Sequence, residues 1–501
     1  MTQSTPASAT GVRRKSIGGN FMLNFMGILL PLGVSLAVVP LYIHRIGSDR
    51  YGIMSLVWML LGYFGFLDFG LSRSSANALS RLAHAGPAER GPVLITALYL
   101  NIGLGCVGGA IMYCAGLLMA GHMAALSGPL HAEILASLPW IACMLPLSMI
   151  SGVGIGAIES REGFVVSNLL NSFGGVLGQV LPITCAILFG PRLTVIIPAA
   201  LAARGISTLC VLAYVAWNER PLHPRQFDRS KVRPLLGYGA WVSVTGMISP
   251  MLETADQMLI GALLGPGALA HYSVPMNLVT RSQLVAAALA KTLFPRMSRL
   301  EHEEADHLTV RSTVSLAYGF AAICAPAIIL AGPFLTLWLG APFAATATPV
   351  ALILLVGGWT NGVAFIPFTF LQSQGRPDLA AKIHLCEILP FLGAVWLLTK
   401  WFGLPGAAIA WSLRVTIDLA LMLIAGRLIR PGILVMLPAI AIIGGSYAFA
   451  QIVKPAGLFA FVVACLVGLA IVGGALIWDS AARALFSSTW TRLRPAAAPA
   501  G

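Results

Sequence analysis

Long apolar runs constrain this chain more than any other feature of its sequence. Hydrophobic residues make up 57% of its 501 residues, and charged residues make up only 10%. Soluble globular chains carry about 25% charged residues, so this chain lacks the polar surface that water requires. A run of about 20 apolar residues is long enough for a helix to cross a bilayer. The sequence therefore predicts an all-α, polytopic membrane protein with almost nothing outside the bilayer.

Fourteen apolar runs alternate with short connections. The polar segment that ends at Lys15 precedes a run too long for a signal-peptide core and without a small-residue cleavage site, so we interpret this run as the first span. The predicted spans are 20–43, 51–75, 92–120, 134–157, 164–189, 194–217, 236–262, 268–293, 310–338, 346–371, 379–401, 405–428, 432–452 and 457–478.

The basic residues predict the orientation of these spans. Cytoplasmic loops of membrane proteins carry an excess of Lys and Arg. Of the 31 Lys and Arg residues, the segments predicted to be external contain only Arg45, Arg50, Arg192, Lys400 and Lys454. Both termini are therefore predicted to be cytoplasmic. The net charge of +13 is spread between apolar runs rather than gathered in one stripe, so we expect no nucleic-acid partner.

Similar short segments recur at a nearly constant distance along the chain. They include Ile158-Glu159-Ser160 with Leu371-Gln372-Ser373 at 213 residues, Arg204 with Arg414 at 210, and Arg220-Pro221 with Arg430-Pro431 at 210. This pattern predicts two six-helix lobes related by an internal repeat, an architecture known in transporters. The predicted domains are an N-terminal lobe (1–218), a cytoplasmic linker (219–235), a C-terminal lobe (236–430) and two accessory helices with a tail (431–501).

Arginines within the spans are the candidates for substrate binding. An ionisable group at a helix centre costs about 2.5–3.5 kcal/mol on insertion scales, so it should face a cavity or a partner. Guanidinium groups bind phosphate through paired, charge-assisted hydrogen bonds. The candidates are Arg204, Arg281, Arg414, Arg73 and Arg45. Three of them have ordinary alternatives: Arg414 could neutralise Asp418, Arg73 could follow the positive-inside rule, and Arg45 could extend to the membrane surface.

Acidic residues within the spans are the candidates for coupling transport to a proton or sodium ion. They are Asp68, Glu253, Asp256 and Asp418. Glu253 and Asp256 are three residues apart and share a helix face, where repulsion between carboxylates favours protonation of one of them. The alternative is that each acid forms an ion pair with an arginine of another helix.

No pattern in the sequence predicts an enzyme. The eight cysteines lie in apolar runs without CxxC spacing, and His302 and His307 lack the spacing of metal ligands. No nucleotide-binding loop or nucleophile elbow is present. A polysaccharide polymerase would need a larger external loop than the roughly 15 residues available here. We therefore predict no enzymatic activity, no cofactor and no metal.

Several segments resemble one family of bacterial transporters. They are Pro40-Leu-Tyr-Ile-His-Arg-Ile-Gly-Ser-Asp-Arg-Tyr-Gly-Ile53, Phe66-Leu-Asp-Phe-Gly-Leu-Ser-Arg73, Glu253-Thr-Ala-Asp-Gln-Met-Leu-Ile-Gly261 and Leu264-Gly-Pro-Gly-Ala-Leu-Ala-His-Tyr-Ser273. These segments are similar to those of the Wzx-type polysaccharide repeat-unit flippases, in the multidrug/oligosaccharidyl-lipid/polysaccharide (MOP) superfamily. The similarity extends over essentially the whole chain.

This resemblance implies a function in the bacterial inner membrane. Such a flippase moves undecaprenyl-pyrophosphate-linked oligosaccharide units between leaflets by alternating access, for O-antigen or exopolysaccharide biosynthesis. Membrane lipid and polysaccharide polymerase or export proteins are its implied partners. The alternative within the superfamily is an ion-coupled multidrug antiporter of the MATE type. Those relatives rely on acids in the first helix, whereas residues 20–43 contain neither Asp nor Glu.

Overall fold

The computed structural model describes residues 17–64, 71–82, 85–122, 128–220, 223–429 and 431–478. Their regular structure is entirely helical. In chain order the helices are α1 (Ile17–Phe64), α2 (Leu71–Arg81), α3 (Pro87–His122), α4 (Pro129–Glu159), α5 (Phe164–Phe189), α6 (Leu193–Asn218), α7 (Arg229–Leu264), α8 (Pro266–Met297), α9 (His302–Leu339), α10 (Ala341–Ser373), α11 (Pro377–Phe402), α12 (Leu404–Ala425), α13 (Leu437–Val453) and α14 (Gly457–Trp478). Short 3-10 helices cover Pro224–Gln226 and Pro431–Met436.

Most of these helices are long and apolar enough to cross a bilayer. Within the described part of the chain, 11 helices meet that criterion of length and composition. The first of them, Leu30–Gly62, contains a non-helical residue, Gly47, so it combines the first predicted span with the start of the second. The predicted all-α, multi-pass membrane fold is confirmed, while the count of fourteen spans stays a prediction.

Six of the eight described glycines with positive φ lie in turns that are predicted to be external. They are Gly47, Gly128, Gly190, Gly265, Gly340 and Gly403, whereas Gly375 lies in a predicted cytoplasmic turn and Gly457 begins α14. A positive φ favours glycine because a Cβ atom is strained there. Gly265 follows Gly47 by 218 residues, and Gly403 follows Gly190 by 213. The backbone therefore bends in the same way at corresponding points of the two halves, as the predicted internal repeat requires.

The chain packs as two units, of which unit 1 comprises Met1–Arg45, Phe64–Leu118 and His131–Gly246. Its largest described core joins α2, α3, α4, α6 and the start of α7. Leu79, Leu94, Val153 and Val211 are almost fully buried in this core, and Leu235 joins them from α7. The first part of α1 is fixed to α5, since the Tyr42 hydroxyl donates a hydrogen bond to a backbone carbonyl of that helix.

Unit 2 comprises Ile46–Tyr63, Met119–Leu130 and Met247–Gly501. The arm of α1 that follows Gly47 belongs to this unit, where Leu56 packs with residues of α7, α8, α10, α11 and α12. Gly52 of the arm approaches α8 so closely that a Cβ atom there would overlap the carbonyl group of Pro266. This arm departs from the predicted lobe 1–218. The other predicted domain boundaries stay predictions.

The two C-terminal helices pack mainly on α9. The Tyr318 hydroxyl of α9 donates a hydrogen bond of 2.7 Å to the carbonyl of Val435, in the 3-10 helix before α13. Leu458 and Leu466 of α14 leave large apolar areas exposed, which suits contact with lipid. Their accessory role stays a prediction.

Candidate functional site

Arg204 lies midway along α6 on the side of that helix that packs inside unit 1. Ala200 and Thr208, one turn before and after it, are 8% and 2% exposed. Ile206 and Leu209, on the opposite side of the helix, form its exposed apolar surface. Arg204 itself is exposed, although its neighbours on the same face are buried. Arg204 is therefore an exposed position on the face of α6 that is otherwise buried, and not on its outer apolar surface.

Arg204 has no neutralising partner among the residues that the structure describes. It makes no hydrogen bond and no ion pair with any of them. An arginine at mid-depth in a span is unfavourable unless water, an acid or an anionic ligand solvates it. Arg204 is thus a mid-span cation without a bonded partner among the described residues.

Arg281 occupies a different setting in α8. Val279, Gln283 and Ala286 form the buried stripe of this helix, and Arg281 lies on the opposite, exposed face. Arg281 makes no hydrogen bond or ion pair with the described residues, although the Tyr51 hydroxyl lies within its electrostatic influence. The structure therefore leaves a second arginine of the predicted spans exposed, in unit 2.

Arg414 is neutralised within unit 2, and its partner is not the predicted one. Its Nε lies 3.2 Å from Oε2 of Glu387 on α11, and its guanidinium carbon lies 5.7 Å from the centre of the Phe391 ring. Asp418, which the spacing along α12 favoured as the partner, instead lies 3.5 Å from Nε2 of His384. The spacing of residues along α12 predicts contacts within that helix only, whereas the acid that contacts Arg414 lies on α11.

Asp256 is a fully buried carboxylate in α7. One of its oxygens accepts a hydrogen bond from the Tyr272 hydroxyl of α8, and the other accepts one of 2.8 Å from the backbone N–H of Gln257. Hydrogen-bond donors of this kind compensate a buried carboxylate for the loss of water. The side chain of Glu253, its predicted companion, lies outside the described residues.

Of the remaining predicted site residues, only the side chain of Arg45 is described by the structure. Asp68 and the side chain of Arg73 lie outside the described residues. Arg45 is exposed within α1, just after the predicted external end of the first span, where its Nη2 donates a hydrogen bond of 3.1 Å to the carbonyl of Ile187 on α5. This contact holds two helices of unit 1 together. It does not bring Arg45 into a group with the mid-span arginines.

The structure contains a buried charged cluster that was not predicted from the sequence. We call it the Arg90 cluster (Arg90, Ser160, Arg161 and Glu219). Arg90, fully buried, lies 2.8 Å from Glu219, and Arg161 lies 2.9 Å from the same carboxylate. Arg90 also donates hydrogen bonds of 2.9 Å to the Ser160 hydroxyl and 2.7 Å to the carbonyl of Leu79. The cluster ties α2, α3, α4 and α6 together. Its one signal in the sequence is Glu219, one of two acids in a mainly basic linker.

No metal centre accompanies these groups in the part of the chain that the structure describes. No three His, Cys, Asp or Glu side chains come together there as a metal site would require. The candidate residues that the structure describes are an exposed arginine in unit 1 and, in unit 2, two further arginines and a buried carboxylate bonded to a tyrosine hydroxyl.

Comparison with known proteins places the chain in a family. The family model described as Polysaccharide biosynthesis protein matches residues 17–301, more than half of the chain. The chain belongs to this family. The predicted relationship to polysaccharide repeat-unit transporters is thereby confirmed.

Individual relatives in this family are similar over most of their length. A Shigella flexneri protein named as an O-antigen transporter is 26% identical over 411 residues, which cover 81% of this chain and 97% of that protein. The lipopolysaccharide biosynthesis protein WzxC of Escherichia coli strain K12 is 21% identical, over 80% of this chain and 79% of its own.

Solved structures extend the comparison to the fold of the family. The inward closed conformation of the lipid II flippase MurJ has a TM-score of 0.66 at 11% identity, and covers 94% of this chain and 98% of its own. A MATE family transporter of the MOP superfamily, in its outward-facing conformation, has a TM-score of 0.53 at 15% identity. The match covers 84% of this chain and 94% of that transporter. The chain therefore has the fold of these transporters.

Proposed function

We propose that this chain is a flippase for polysaccharide biosynthesis. It moves undecaprenyl-pyrophosphate-linked oligosaccharide units across the bacterial inner membrane by alternating access. Family membership supports the class of protein. The observation that carries the proposal is Arg204, a mid-span cation on the inward side of α6 without a partner among the described residues. It is not an enzyme, and it uses no cofactor.

The chemistry of the substrate matches this arginine. A pyrophosphate group carries several negative charges and must cross an apolar layer. A guanidinium group in a water-excluded setting binds phosphate oxygens through two parallel hydrogen bonds. Arg281 provides a second open cation in unit 2. Arg414 contributes less, since Glu387 already neutralises it. A MATE-type antiporter is the weaker reading because a cationic drug would be repelled by the open arginines.

A deletion strain tests this function directly. Cells that lack the gene should accumulate lipid-linked oligosaccharide on the cytoplasmic leaflet, and the wild-type chain should clear it. The Arg204→Ala variant should fail to do so, whereas Arg192→Ala should succeed, because Arg192 is exposed at the start of the same helix. A deletion strain without accumulation would refute the flippase proposal.

Ion coupling is proposed for the buried acid of α7. Asp256 and Tyr272 are both fully buried and share a hydrogen bond between α7 and α8, so a proton gained or lost there alters the contact between two helices. Flipping should lose its dependence on an imposed proton or sodium gradient in Asp256→Asn. Glu253→Gln provides the companion test for the other acid. Gradient dependence that survives in both variants would make these acids structural.

The orientation of the chain completes the proposal. Both termini and the linker 219–235 are cytoplasmic, and the turn at Gly128 is external. Reporter fusions at Pro129 and at Arg229 should therefore report opposite sides of the membrane. Fusions that report one side would reject this topology. In the cell the flippase works beside polysaccharide polymerase and export proteins.

A further inference from the structure

The first two turns of α7 border an open pocket of ≈ 490 Å³. Arg229, Val232, Arg233 and Leu236 line it. Spacings of three, four and seven residues place these side chains on one face of the helix. The volume lies in the range of about 300–1,000 Å³ that is usual for small-molecule sites. Two arginines, one turn apart, and two aliphatic side chains thus border the pocket.

The two arginines of this pocket have no hydrogen-bonded partner among the described residues, although the carboxylate of Asp228 adjoins Arg229 in the chain. Asp228, the adjacent acid, accepts hydrogen bonds of 2.6 Å from the hydroxyl and 2.9 Å from the N–H of Ser230. These bonds, with a smaller contribution from Lys231, hold the pKa of Asp228 below its usual range. Neither Arg229 nor Arg233 makes a hydrogen bond or ion pair with any residue that the structure describes. Like charges four residues apart repel each other on a helix, so a bound anion would relieve this arrangement.

The segment that carries the pocket is fixed to unit 1. The N–H of Asp228 donates a hydrogen bond of 2.9 Å to the hydroxyl of Thr96 on α3. The Phe227 ring packs edge-to-face on Tyr99, with ring centres 5.8 Å apart. Leu235, between the last two lining residues, is 3% exposed in the core. The backbone that carries the two arginines is therefore fixed before any ligand arrives, which lowers part of the entropic cost of binding.

We propose that this pocket binds the diphosphate of the lipid-linked substrate at the membrane surface, as a capture site separate from Arg204. The inference rests on the proposed flippase function and on the predicted cytoplasmic position of the linker. Two guanidinium groups match the two phosphates of a diphosphate, whereas the phosphodiester of a phospholipid carries a single charge. Val232 and Leu236 offer an apolar surface to the first isoprene units.

Binding of farnesyl diphosphate, a short polyprenyl diphosphate, tests the pocket. The full chain is placed in phosphatidylcholine nanodiscs with the Arg204→Ala substitution, so that the mid-span site does not contribute. Arg229→Gln/Arg233→Gln should weaken binding about tenfold, as expected for the loss of charge-assisted hydrogen bonds. The matched control is Arg225→Gln/Lys231→Gln, which removes the same charge from exposed residues of the same segment that do not line the pocket. It should change binding less than about twofold.

Two results would overturn the proposal. One is an equal loss of binding in both double variants, which would assign the affinity to diffuse surface charge. The other is displacement of the probe by phosphatidylglycerol as readily as by unlabelled farnesyl diphosphate, which would assign the pocket to ordinary anionic lipid. Selective loss in the pocket variant, with weak competition by phosphatidylglycerol, supports it.

Different experimental results would contradict the proposed capture site and the proposed flippase function. Deletion cells that accumulate lipid-linked oligosaccharide, together with unchanged binding in the pocket variant, would remove the capture site and keep the flippase. Deletion cells without accumulation, together with selective loss of binding in the pocket variant, would remove the flippase and keep a diphosphate site.

Discussion

The two halves of the chain place an arginine at corresponding positions and surround it differently. Arg204 and Arg414 are 210 residues apart, and each lies on the buried side of its helix. Arg414 meets Glu387 at 3.2 Å. The residue 213 positions before Glu387 is Gly174, which offers no side chain at all. The acid that neutralises the second arginine is therefore absent around the first.

The same difference recurs one turn further along each helix. Asp418 of α12 corresponds to Thr208 of α6, again 210 residues earlier. The Thr208 hydroxyl donates a hydrogen bond of 3.2 Å to the carbonyl of Leu147, so the position is used for packing between helices. A Cβ atom on Gly174 would lie 2.3 Å from the Ser207 hydroxyl, which leaves little room for an acid. In unit 1 neither corresponding position carries an acid, and both positions serve the packing of helices. Arg204 therefore lacks the ion pair that Arg414 makes.

At the predicted cytoplasmic ends of the halves, the buried ion pairs lie in unit 1, and unit 2 has a neutral hydrogen bond at the corresponding position. In unit 1 the Arg90 cluster joins the turn after α4 to α2 through buried charges. In unit 2 the residue that corresponds to Arg161 is Gln374, 213 positions later, and its side-chain amide donates a hydrogen bond of 3.1 Å to the carbonyl of Met297. At this end unit 1 thus has a buried charged cluster where unit 2 has a neutral hydrogen bond, whereas at the repeat-related arginines it is unit 2 that has the ion pair.

Removing each arginine in turn should give the largest contrast between the halves. Arg204→Ala should lower the transport rate about 1,000-fold, about 4 kcal/mol, because the substrate loses its charge-assisted contact. Arg204→Lys should restore little, since a bidentate phosphate contact tolerates lysine poorly. Arg414→Ala should chiefly lower stability, because it leaves Glu387 buried without its partner. Flipping in proteoliposomes and melting in detergent measure the two effects.

The comparison would break if Arg414→Ala reduced transport as strongly as Arg204→Ala while its melting temperature stayed unchanged. That result would give both arginines the same function despite their different partners. The Arg192→Ala variant serves as the control for the loss of an exposed cation near the same helix.

Arg90→Ala should produce the largest loss of stability. The substitution removes the ion pair with Glu219 and the hydrogen bond to the carbonyl of Leu79, both in a buried setting. Arg161 still contacts the carboxylate, so we expect a cost of about 3 kcal/mol, at the lower end for a broken buried pair. The melting temperature of the purified chain in detergent measures it. Arg81→Ala, which removes a cation from the nearby end of α2, is the control. An equal melting temperature for Arg90→Ala and the control would contradict the structural role of the cluster.

The sequence predicted the helices from the length of the apolar runs, and it predicted the repeat from short segments that recur along the chain. Apolar length is a property of a single segment, and the glycine turns recur at nearly constant spacing. The paired state of Arg414 could not be predicted in this way, since Glu387 reaches it from another helix. The burial of Arg90 could not be predicted for the same reason, since it depends on four helices that converge only in the fold.

A smaller effect should follow from returning an acid to unit 1. Thr208→Asp places a carboxylate four residues after Arg204, as Asp418 is placed after Arg414, and so should compete with the substrate for the guanidinium group. We expect transport to fall about tenfold, near 1.4 kcal/mol, relative to Thr208→Asn. The asparagine variant has the same size and also loses the hydroxyl, so it isolates the charge. Equal transport by the two variants would show that the absence of acids around Arg204 is not needed.

The smallest effect is expected at Gln374. Gln374→Ala removes a neutral hydrogen bond to Met297 at the predicted membrane surface, where water can replace the amide. Such a bond contributes about 1 kcal/mol, against about 3 kcal/mol for the buried charges of the Arg90 cluster. The melting temperature should therefore fall less than in Arg90→Ala, and transport should stay close to wild type. If Gln374→Ala destabilised the chain as much as Arg90→Ala, the ends of the two halves would be energetically equivalent. Their different chemistry would then say nothing about which half is the more rigid.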